Sequence, residues 1–484
     1  MILERHHALL TDLYQLTMMG GYHRHEQFRE RRAAFELFFR RVPFGGGYCI
    51  AAGLADVVTY IRSLSFGADE LGYLERLGLF GREFLDFLKT FRFAGDLWAV
   101  PEGTVVFAHE PLLRVEARLP EAQLVETALL NILNFQTLIA TKAARICDAA
   151  GGAPVLEFGL RRAQGVDGSL SASRAACIGG CVGTSNVLAG MLYGLAPRGT
   201  QAHAWIMAFG DELAAFRAYA DTYPDACLLL VDTYDTLRTG VPNAITAAKE
   251  LEARGHCFLG IRLDSGDLAY LSREARRMLD EAGLEHAKIV ASNDLDEYAI
   301  AELRKNGARV DMWGVGTNLV TARDCPALGG VYKLVAIAAE DGSWIPRIKL
   351  SSNGEKTTNP GVKQILRFTD SAGTLLGDVL ADASEALPER GSPVLSSHLL
   401  DARERRSIAG WDRVEALLVP VFSGGELVGD QPELPAIRLR AQQQRDRLPS
   451  GTRRLTEPDP IWVGLSSAVL ETKIALTRAA ANRE

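Results

Sequence analysis

Four short apolar runs between residues 227 and 318 each end in a polar cluster. They read CLLLVDTYDT (Cys227–Thr236), CFLGIRLDSGD (Cys257–Asp267), KIVASND (Lys288–Asp294) and DMWGVGTN (Asp311–Asn318). Short buried strands that alternate with helices are typical of parallel βαβ units, in which ligands bind at the carboxyl ends of strands. The runs therefore predict a row of site residues: Asp232, Asp264, Asp267, Ser292, Asn293, Gly316 and Thr317.

The spacing of these runs predicts the architecture. Three of the expected strands begin at Leu228, Phe258 and Lys288, at equal intervals, and helical patterns lie between them. Two further strands are expected at Pro154–Phe158 and Ala176–Gly179. We therefore predict an α/β fold with an irregular (β/α) barrel whose active mouth lies at the strand carboxyl ends.

The chain on either side of this region has a different pattern. A long helix is expected from Pro120 to Ala150, and strand-like alternation with turn signals such as Asn353-Gly354 follows the barrel. The N-terminal and post-barrel segments are expected to form one mixed α/β, β-rich domain. The predicted segments are an N-terminal α/β domain at 1–119, the catalytic barrel at 120–330, a β-rich segment at 331–437 and C-terminal helices or tail at 438–484.

Composition narrows the class of protein. The 484 residues are 47% hydrophobic and 23% charged, with a net charge of −7, which argues for a globular protein of two or three domains and against a nucleic-acid surface. No apolar run is long enough to span a membrane, and the N-terminus lacks a signal-peptide core. The 7 scattered cysteines suit reduced thiols in the cytoplasm.

The segment Arg262–Asp267 is the strongest local signal. Asp264 and Asp267, on either side of a glycine, could hold a ribose diol or a hydrated Mg²⁺, and Arg262 could grip a carboxylate or phosphate with two parallel hydrogen bonds. A turn with a helix cap would explain the same residues without a ligand.

Two other loops have features of anion sites. Gly316 and Thr317 could present backbone amides and a hydroxyl to a phosphate, although an ordinary βα turn is an equal alternative. Arg161 and Arg162 follow the first strand and could bind a polyanion such as pyrophosphate, although either arginine alone is more often a solvated charge.

Three further motifs could contribute to a site. The GTSN motif (Gly183–Asn186) could cap a helix, donate to substrate, or both. His203 in GTQAHAW begins a helix, where a neutral imidazole could act as base, nucleophile or metal ligand. Tyr14 in TDLYQLTM could stack on an aromatic ligand or belong to a core. The chain has no P-loop, no GxGxxG after a strand and no nucleophile elbow, and no HxH or HExxH that would favour zinc.

In this order, the motifs resemble those of the nicotinate phosphoribosyltransferase family. The resemblance implies an enzyme of NAD biosynthesis or salvage that joins nicotinate to 5-phosphoribosyl-1-pyrophosphate (PRPP), with ligase-type coupling to ATP hydrolysis and Mg²⁺. It also implies a homodimer in which both chains contribute to each site. The matching pieces are TDLYQLTM, FELFFRRVPFGGGY, EFGLRRAQG, GTSNVLAG, GTQAHAW, LLVDTYDT, GIRLDSGDL, IVASNDLDE, GVGTNLVT, GGVYKLV and PRIKLSSNGEKTTNPG.

The resemblance assigns roles to the candidate residues. His203 matches the histidine that ATP phosphorylates, and Asp264 and Asp267 would contact the ribose or Mg²⁺ during catalysis. Nicotinate would be held by Tyr14, Thr200 and Arg262. The PRPP phosphates would be held by Arg161, Arg162, Ser292, Asn293, Gly316 and Thr317. Asp232 receives no role.

Four alternatives stay open at this point. Nicotinamide phosphoribosyltransferase is the nearest, whereas quinolinate phosphoribosyltransferases are much shorter and have a richer basic pocket. A barrel aldolase or lyase would need a Schiff-base lysine at a strand end, and Lys288 and Lys333 lie at strand starts instead. A catalytically inactive binding or regulatory barrel is disfavoured because Arg262, Asp264, Asp267 and His203 are all present.

Overall fold

The structure, a computed structural model, describes residues 6–351 and 354–482. Contacts divide it into two compact units. Residues Ile139–Pro326 form the central unit, and the described residues before and after this segment form the outer unit. The domain limits predicted from the sequence stay predictions.

The central unit contains a six-stranded sheet in which every pair of neighbouring strands is parallel. Its strand order is β7-β6-β11-β10-β9-β8. Since Ala291 pairs with both Leu263 and Trp313, and Val315 pairs with Glu157, the inner strands end side by side. The elements are β6 Val155–Glu157, α8 Val166–Gly179, β7 Gly183–Thr184, α9 Val187–Tyr193, α10 His203–Phe209, α11 Glu212–Thr222, β8 Leu228–Leu230, α12 Val241–Glu252, β9 Gly260–Leu263, α13 Leu268–Glu281, β10 Lys288–Ala291, α14 Glu297–Lys305, β11 Met312–Val315 and α15 Thr317–Val320.

The sheet is not closed by strand pairing. Among the described residues, β7 and β8 are the edge strands and do not pair with each other, so a closed barrel stays a prediction. The chain after α9 runs beside β7, where the Thr184 amide donates to Ala196 O at 3.1 Å and the Arg198 amide donates to Thr184 O at 2.8 Å. In the orientation that satisfies both of its ends, the Gln201 side-chain amide bonds Leu228 O and Leu230 N of β8.

One predicted strand of this unit is wrong. Ala176–Gly179 is the last turn of helix α8, and the second strand, β7, begins later at Gly183. The helix is rich in alanine and serine, and its small residues let it pack closely: a side chain at Gly179 would lie 2.3 Å from Ala140 O. Strand-like apolarity was therefore the buried face of a helix.

The N-terminal part of the outer unit contributes its first strands and the helix that leads into the central unit. The helix expected from Pro120 to Ala150 is divided after Leu124, and its longer part continues into the central unit. The elements are α1 Leu13–Arg24, α2 Glu26–Arg29, β1 Arg32–Phe39, β2 Cys49–Ile50, α3 Leu54–Ser63, α4 Ala68–Arg76, α5 Arg82–Lys89, β3 Asp96–Ala99, β4 Val105–Val106, β5 Leu113–Arg118, α6 Leu119–Leu124 and α7 Glu126–Ala150.

The C-terminal part returns to the same unit and shares a sheet with the N-terminal strands. A seven-stranded sheet has the order β13-β12-β1-β5-β3-β19-β20, so that β1 pairs with β12 and β3 with β19. A second sheet has the order β17-β16-β21-β15-β14-β18. The elements are β12 Gly330–Ala338, β13 Trp344–Pro346, β14 Lys363–Thr369, β15 Leu375–Asp382, β16 Val394–His398, β17 Arg405–Ile408, β18 Arg413–Ala416, β19 Val419–Ser423, β20 Glu426–Leu427, α16 Leu434–Asp446, β21 Val463–Leu465 and α17 Ser467–Ala481.

Several local expectations for this part meet the structure differently. A strand expected from Pro346 to Leu350 ends at Pro346 instead. Of the expected turn Asn353-Gly354, Asn353 lies outside the described residues. Helix α16 is not purely a surface helix, because Ile437 and Ala441 are buried. No helix in the described part of the chain is long and apolar enough to cross a membrane.

Candidate active site

The carboxyl ends of β6, β9, β10 and β11 open into a cavity of about 480 Å³ within the central unit. Its wall combines cationic, acidic and hydroxyl side chains with one aromatic ring, that of Phe158. The structure thus brings together most of the site residues expected from the sequence. Those that line the cavity are Arg161, Arg162, Thr200, His203, Arg262, Asp264, Ser292, Asn293, Gly316 and Thr317.

Asp264 is the carboxylate of this cavity, and its position is fixed from two neighbouring strands. Its Oδ1 accepts hydrogen bonds from the Ser292 hydroxyl at 2.5 Å and from Arg262 Nη1 at 3.4 Å. Its backbone amide donates to Asp232 Oδ2 at 2.8 Å, and the Ser265 hydroxyl donates to the same oxygen at 2.6 Å. Asp232, which the sequence left without a role, therefore holds the loop that carries Asp264.

Arg262 leaves the sheet from β9 and reaches the cavity wall largely covered, with 14% of its side chain exposed. Its Nη2 donates to Gln201 O at 2.9 Å, and its Nη1 donates to the Ser292 hydroxyl at 3.2 Å. Burial lowers the pKa of Arg262, but a guanidinium stays charged at neutral pH. The side chain is therefore a fixed cation whose remaining N–H groups can meet a carboxylate.

His203 is the first residue of α10, and both of its ring nitrogens have neighbours. Nδ1 lies 3.0 Å from the Thr233 hydroxyl, and Nε2 lies 4.0 Å from Asp264 Oδ2. The imidazole is 40% exposed, so a substrate in the cavity can reach it. A histidine oriented by a hydroxyl and open to substrate is suited to nucleophilic or acid–base chemistry.

The arginine loop, which we define as Gly159–Arg162, follows β6. Arg161 and Arg162 lie on a short 3₁₀ turn, and both are exposed at the cavity. Neither side chain has a hydrogen-bond or ion-pair partner among residues 6–351 and 354–482, so both charges are available to an anion. In the nearby GTSN motif, Asn186 caps α9 by accepting from the Ala189 amide at 3.1 Å, while Ser185 lines the cavity. Capping and a ligand-facing position thus occur in one motif.

The loops after β10 and β11 have unusual backbone. Asn293 has φ 108°, in the left-handed region that few residues other than glycine adopt, and its side-chain Oδ1 accepts from the Asp294 amide at 3.0 Å. A side chain at Gly316 would lie 2.9 Å from Phe158 O, so the close approach of the two loops requires glycine there. Such tight loops leave backbone amides near the cavity, as phosphate sites require.

Two expected site residues lie elsewhere. Asp267 is exposed and caps α13 by accepting from the Tyr270 amide at 3.0 Å, and it does not line the cavity. The capping alternative therefore describes its visible contact, and its role in metal binding stays a prediction. Tyr14 belongs to the outer unit, where it is 49% exposed on α1.

The sequence reasoning missed three residues of the cavity region. Phe158 lies between the strand end Glu157 and Gly159, in the motif EFG, and its place directly after a buried strand was the available signal. Thr233 and Gln201 act on His203 and Arg262 by contact, and no sequence pattern announces such pairs.

The donor set fits a Mg²⁺ that arrives with its substrate better than a resident metal. In the described part of the chain, no group of three or more His, Cys, Asp or Glu side chains could hold a metal ion. Asp264 alone offers a carboxylate in the cavity, 33% exposed. Mg²⁺ in phosphate-transferring sites is held by one or two carboxylates together with substrate phosphates, and Asp264 meets that need.

Comparison with known proteins covers nearly the whole chain. Three family models match: the nicotinate phosphoribosyltransferase N-terminal domain at residues 9–134, the nicotinate phosphoribosyltransferase family at residues 154–344 and the C-terminal domain at residues 362–473. The nicotinate phosphoribosyltransferase of Bacillus subtilis is 46% identical over 468 residues, covering 96% of this chain and 94% of the relative. That of Mycobacterium tuberculosis is 45% identical, covering 93% of this chain and 89% of the relative.

Solved structures agree with the sequence relatives. The crystal structure of human nicotinic acid phosphoribosyltransferase matches with a TM-score of 0.84 at 34% identity, covering 97% of this chain and 100% of that one. A nicotinate-nucleotide pyrophosphorylase from Pyrococcus furiosus shares the fold, with a TM-score of 0.67 at 24% identity.

Proposed function

The chain belongs to the nicotinate phosphoribosyltransferase family, and we propose that it transfers the phosphoribosyl group of PRPP to nicotinate. The products are nicotinate mononucleotide and pyrophosphate, within NAD biosynthesis or salvage. The observation that carries the proposal is the cavity of the central unit, in which unpaired arginines, a covered arginine and an anchored carboxylate face one space. Each of these groups answers one requirement of the reaction.

The first requirement is to stabilise the departing pyrophosphate. The ribosyl C1–oxygen bond breaks through an oxocarbenium-like state while the pyridine nitrogen attacks C1, so negative charge grows on the leaving group. Arg161 and Arg162, which have no protein partner among the described residues, take this charge. Asp264, held rigidly by Ser292 and Asp232, faces the ribose and the positive charge that develops at C1.

The second requirement is to hold the 5′-phosphate and the ring of nicotinate. Ser292, Asn293, Gly316 and Thr317 offer hydroxyl, amide and backbone donors to the phosphate. Arg262 meets the nicotinate carboxylate, and Thr200 adds a hydroxyl. Phe158 supplies a flat surface in the cavity, and Tyr14 supplies another in a homodimer with shared sites, for which its exposure on α1 is the support.

ATP enters as a co-substrate through His203. A neutral ring nitrogen attacks the γ-phosphorus, ADP leaves, and water later takes the phosphoryl group, so that ATP hydrolysis drives product formation without a P-loop. Mg²⁺ would neutralise phosphate charge, with Asp264 as its protein ligand. His203→Ala is expected to abolish ATP stimulation and leave slow ATP-independent synthesis. His256→Ala, which removes an exposed histidine bonded to Asp225, is the matched control. Unchanged ATP stimulation in His203→Ala would remove this step from the proposal.

The proposal extends to architecture and location. The backbone bonds between residues 196–198 and β7, and the Gln201 side chain beside β8, support a barrel that closes through this segment rather than through a regular strand. The seven cysteines, none in a disulfide, support a cytoplasmic location.

Substrate competition tests the proposal most simply. Pyrophosphate release is measured with PRPP and either nicotinate or nicotinamide, with and without ATP. The expected result is release with nicotinate that ATP increases and that nicotinamide neither supports nor inhibits strongly. Turnover of nicotinamide in place of nicotinate would overturn the assignment of substrate.

A further inference from the structure

Glu157 ends strand β6 as a buried carboxylate, 1% exposed, directly beneath the cavity. Its Oε1 accepts from the Gly159 amide, and its Oε2 accepts from the Ser173 hydroxyl at 2.8 Å and the Thr184 hydroxyl at 2.5 Å. Within the described residues no lysine, arginine or histidine forms an ion pair with it. Burying a charge without a counter-ion is costly, so fully satisfied hydrogen bonds must compensate.

These hydrogen bonds join the two loops that face the cavity from this side. The Gly159 amide opens the arginine loop, which carries the two unpaired arginines. The Thr184 hydroxyl also accepts from the Asn186 amide at 2.9 Å, and the Ser185 amide donates to Glu157 O at 2.8 Å. One residue thus holds the arginine loop with its Oε1, and the GTSN motif with its Oε2 and its backbone carbonyl.

We propose that Glu157 is a positioning residue for pyrophosphate: its carboxylate sets the spacing between the arginine loop and Ser185, and so the geometry in which the leaving group is bound. This inference rests on the proposed function. The carboxylate itself does not line the cavity, so it acts through the loops and does not touch substrate. A charge-bearing acceptor suits this task because all three of its partners donate and it needs no donor of its own.

The substitution Glu157→Gln separates positioning from simple packing. An amide of the same shape brings two N–H groups, which must face either the Gly159 amide, a donor that cannot rotate, or the two hydroxyls, which can. The arginine loop or the GTSN motif then loses its anchor while the volume of the core is unchanged. Thr184→Val removes one donor at constant shape, and Thr184→Ser keeps it.

The matched control is Glu297→Gln in the same unit. Glu297 is also buried, at 0% exposure, but its carboxylate is held by Lys142 Nζ at 2.7 Å and Arg145 Nε at 2.8 Å, and it does not line the cavity. This variant reports what the loss of a buried carboxylate does to stability alone.

Two measurements test the inference. Steady-state kinetics with PRPP and nicotinate should show a KM for PRPP raised about tenfold in Glu157→Gln and Thr184→Val, the size expected for a weakened charge-assisted hydrogen bond, with the nicotinate KM and Thr184→Ser near wild type. Calorimetric titration with pyrophosphate alone should show the same loss of affinity. The titration stands even if the protein makes no nicotinate mononucleotide, so failure of the proposed function is seen separately.

The inference is overturned if folded Glu157→Gln binds pyrophosphate like wild type, or if both substrates' KM values rise together. It is also overturned if Glu297→Gln produces the same selective rise, because a general loss of rigidity would then explain the effect.

Discussion

The outer unit and the central unit use arginine in opposite ways. In the outer unit, Arg367 is 3% exposed and bonds Asp378 through two nitrogens, Nε to Oδ1 at 3.0 Å and Nη2 to Oδ2 at 2.5 Å. In the central unit, Arg161 and Arg162 are exposed at the cavity and have no partner among the described residues. Paired buried charges stabilise one conformation, whereas unpaired charges on a fixed loop are available to a ligand.

The largest effect should come from breaking the buried pair. Arg367→Met leaves the Asp378 carboxylate buried without its partner, and such a change costs about 3–5 kcal/mol of unfolding free energy. Urea unfolding measures it, and the PRPP and nicotinate KM values of the folded fraction should not change. Arg390→Met, which breaks an exposed pair with Asp412, should cost less than about 1 kcal/mol. Equal costs for the two variants would contradict the contrast between the units.

The next effect concerns the covered arginine of the cavity. Arg262→Ala should raise the nicotinate KM by roughly 10- to 100-fold, because a hydrogen-bonded charge contributes about 1.5–3 kcal/mol. The KM for PRPP should change much less. Arg254→Ala, in the same unit but on an exposed pair with Asp221, provides the control. A larger change in the PRPP KM than in the nicotinate KM would move Arg262 from the ring to the phosphates.

The two aspartates of RLDSGD separate site from cap. Asp267→Ala should cost about 1 kcal/mol of stability through loss of the α13 cap while kinetics stay near normal. Asp264→Asn should lower kcat while stability changes little, because this carboxylate faces the cavity. Chemical unfolding and steady-state kinetics of both variants distinguish the roles. A kcat lowered equally in both would restore Asp267 to the site.

The smallest effect is a change in pH dependence in the outer unit. Burial, followed by the charge of Asp378, raises the pKa of Glu110 well above its ordinary value. A raised folded-state pKa gives stability that is fully present below the unfolded pKa and is lost as pH rises through the folded one. Glu110→Gln does not titrate, so its melting temperature should match wild type in acid and exceed it increasingly as the pH rises. Glu75→Gln, at an exposed position, is the control. Parallel melting curves across pH would contradict the buried-acid assignment.

The sequence predicted the parallel strands and most residues of the cavity, because polar clusters after apolar runs mark strand ends. Family membership and the expected reaction follow the same motifs and are confirmed by the comparisons. Helix α8 was partly misread since short apolar segments fit a buried helix as well as a strand. The roles of Asp232, Thr233 and Glu157 could not be predicted, because each depends on contacts between loops distant in the chain.

The most direct measurement is the formation of nicotinate mononucleotide from nicotinate and PRPP, followed by mass spectrometry alongside pyrophosphate. Wild-type protein and the Arg161→Ala/Arg162→Ala double variant are compared at equal concentrations of folded protein. The account predicts nicotinate mononucleotide and pyrophosphate in equal amounts from wild type, and a kcat/KM for PRPP at least about tenfold lower in the double variant. No product from wild type, or an unchanged kcat/KM in the double variant, would contradict it.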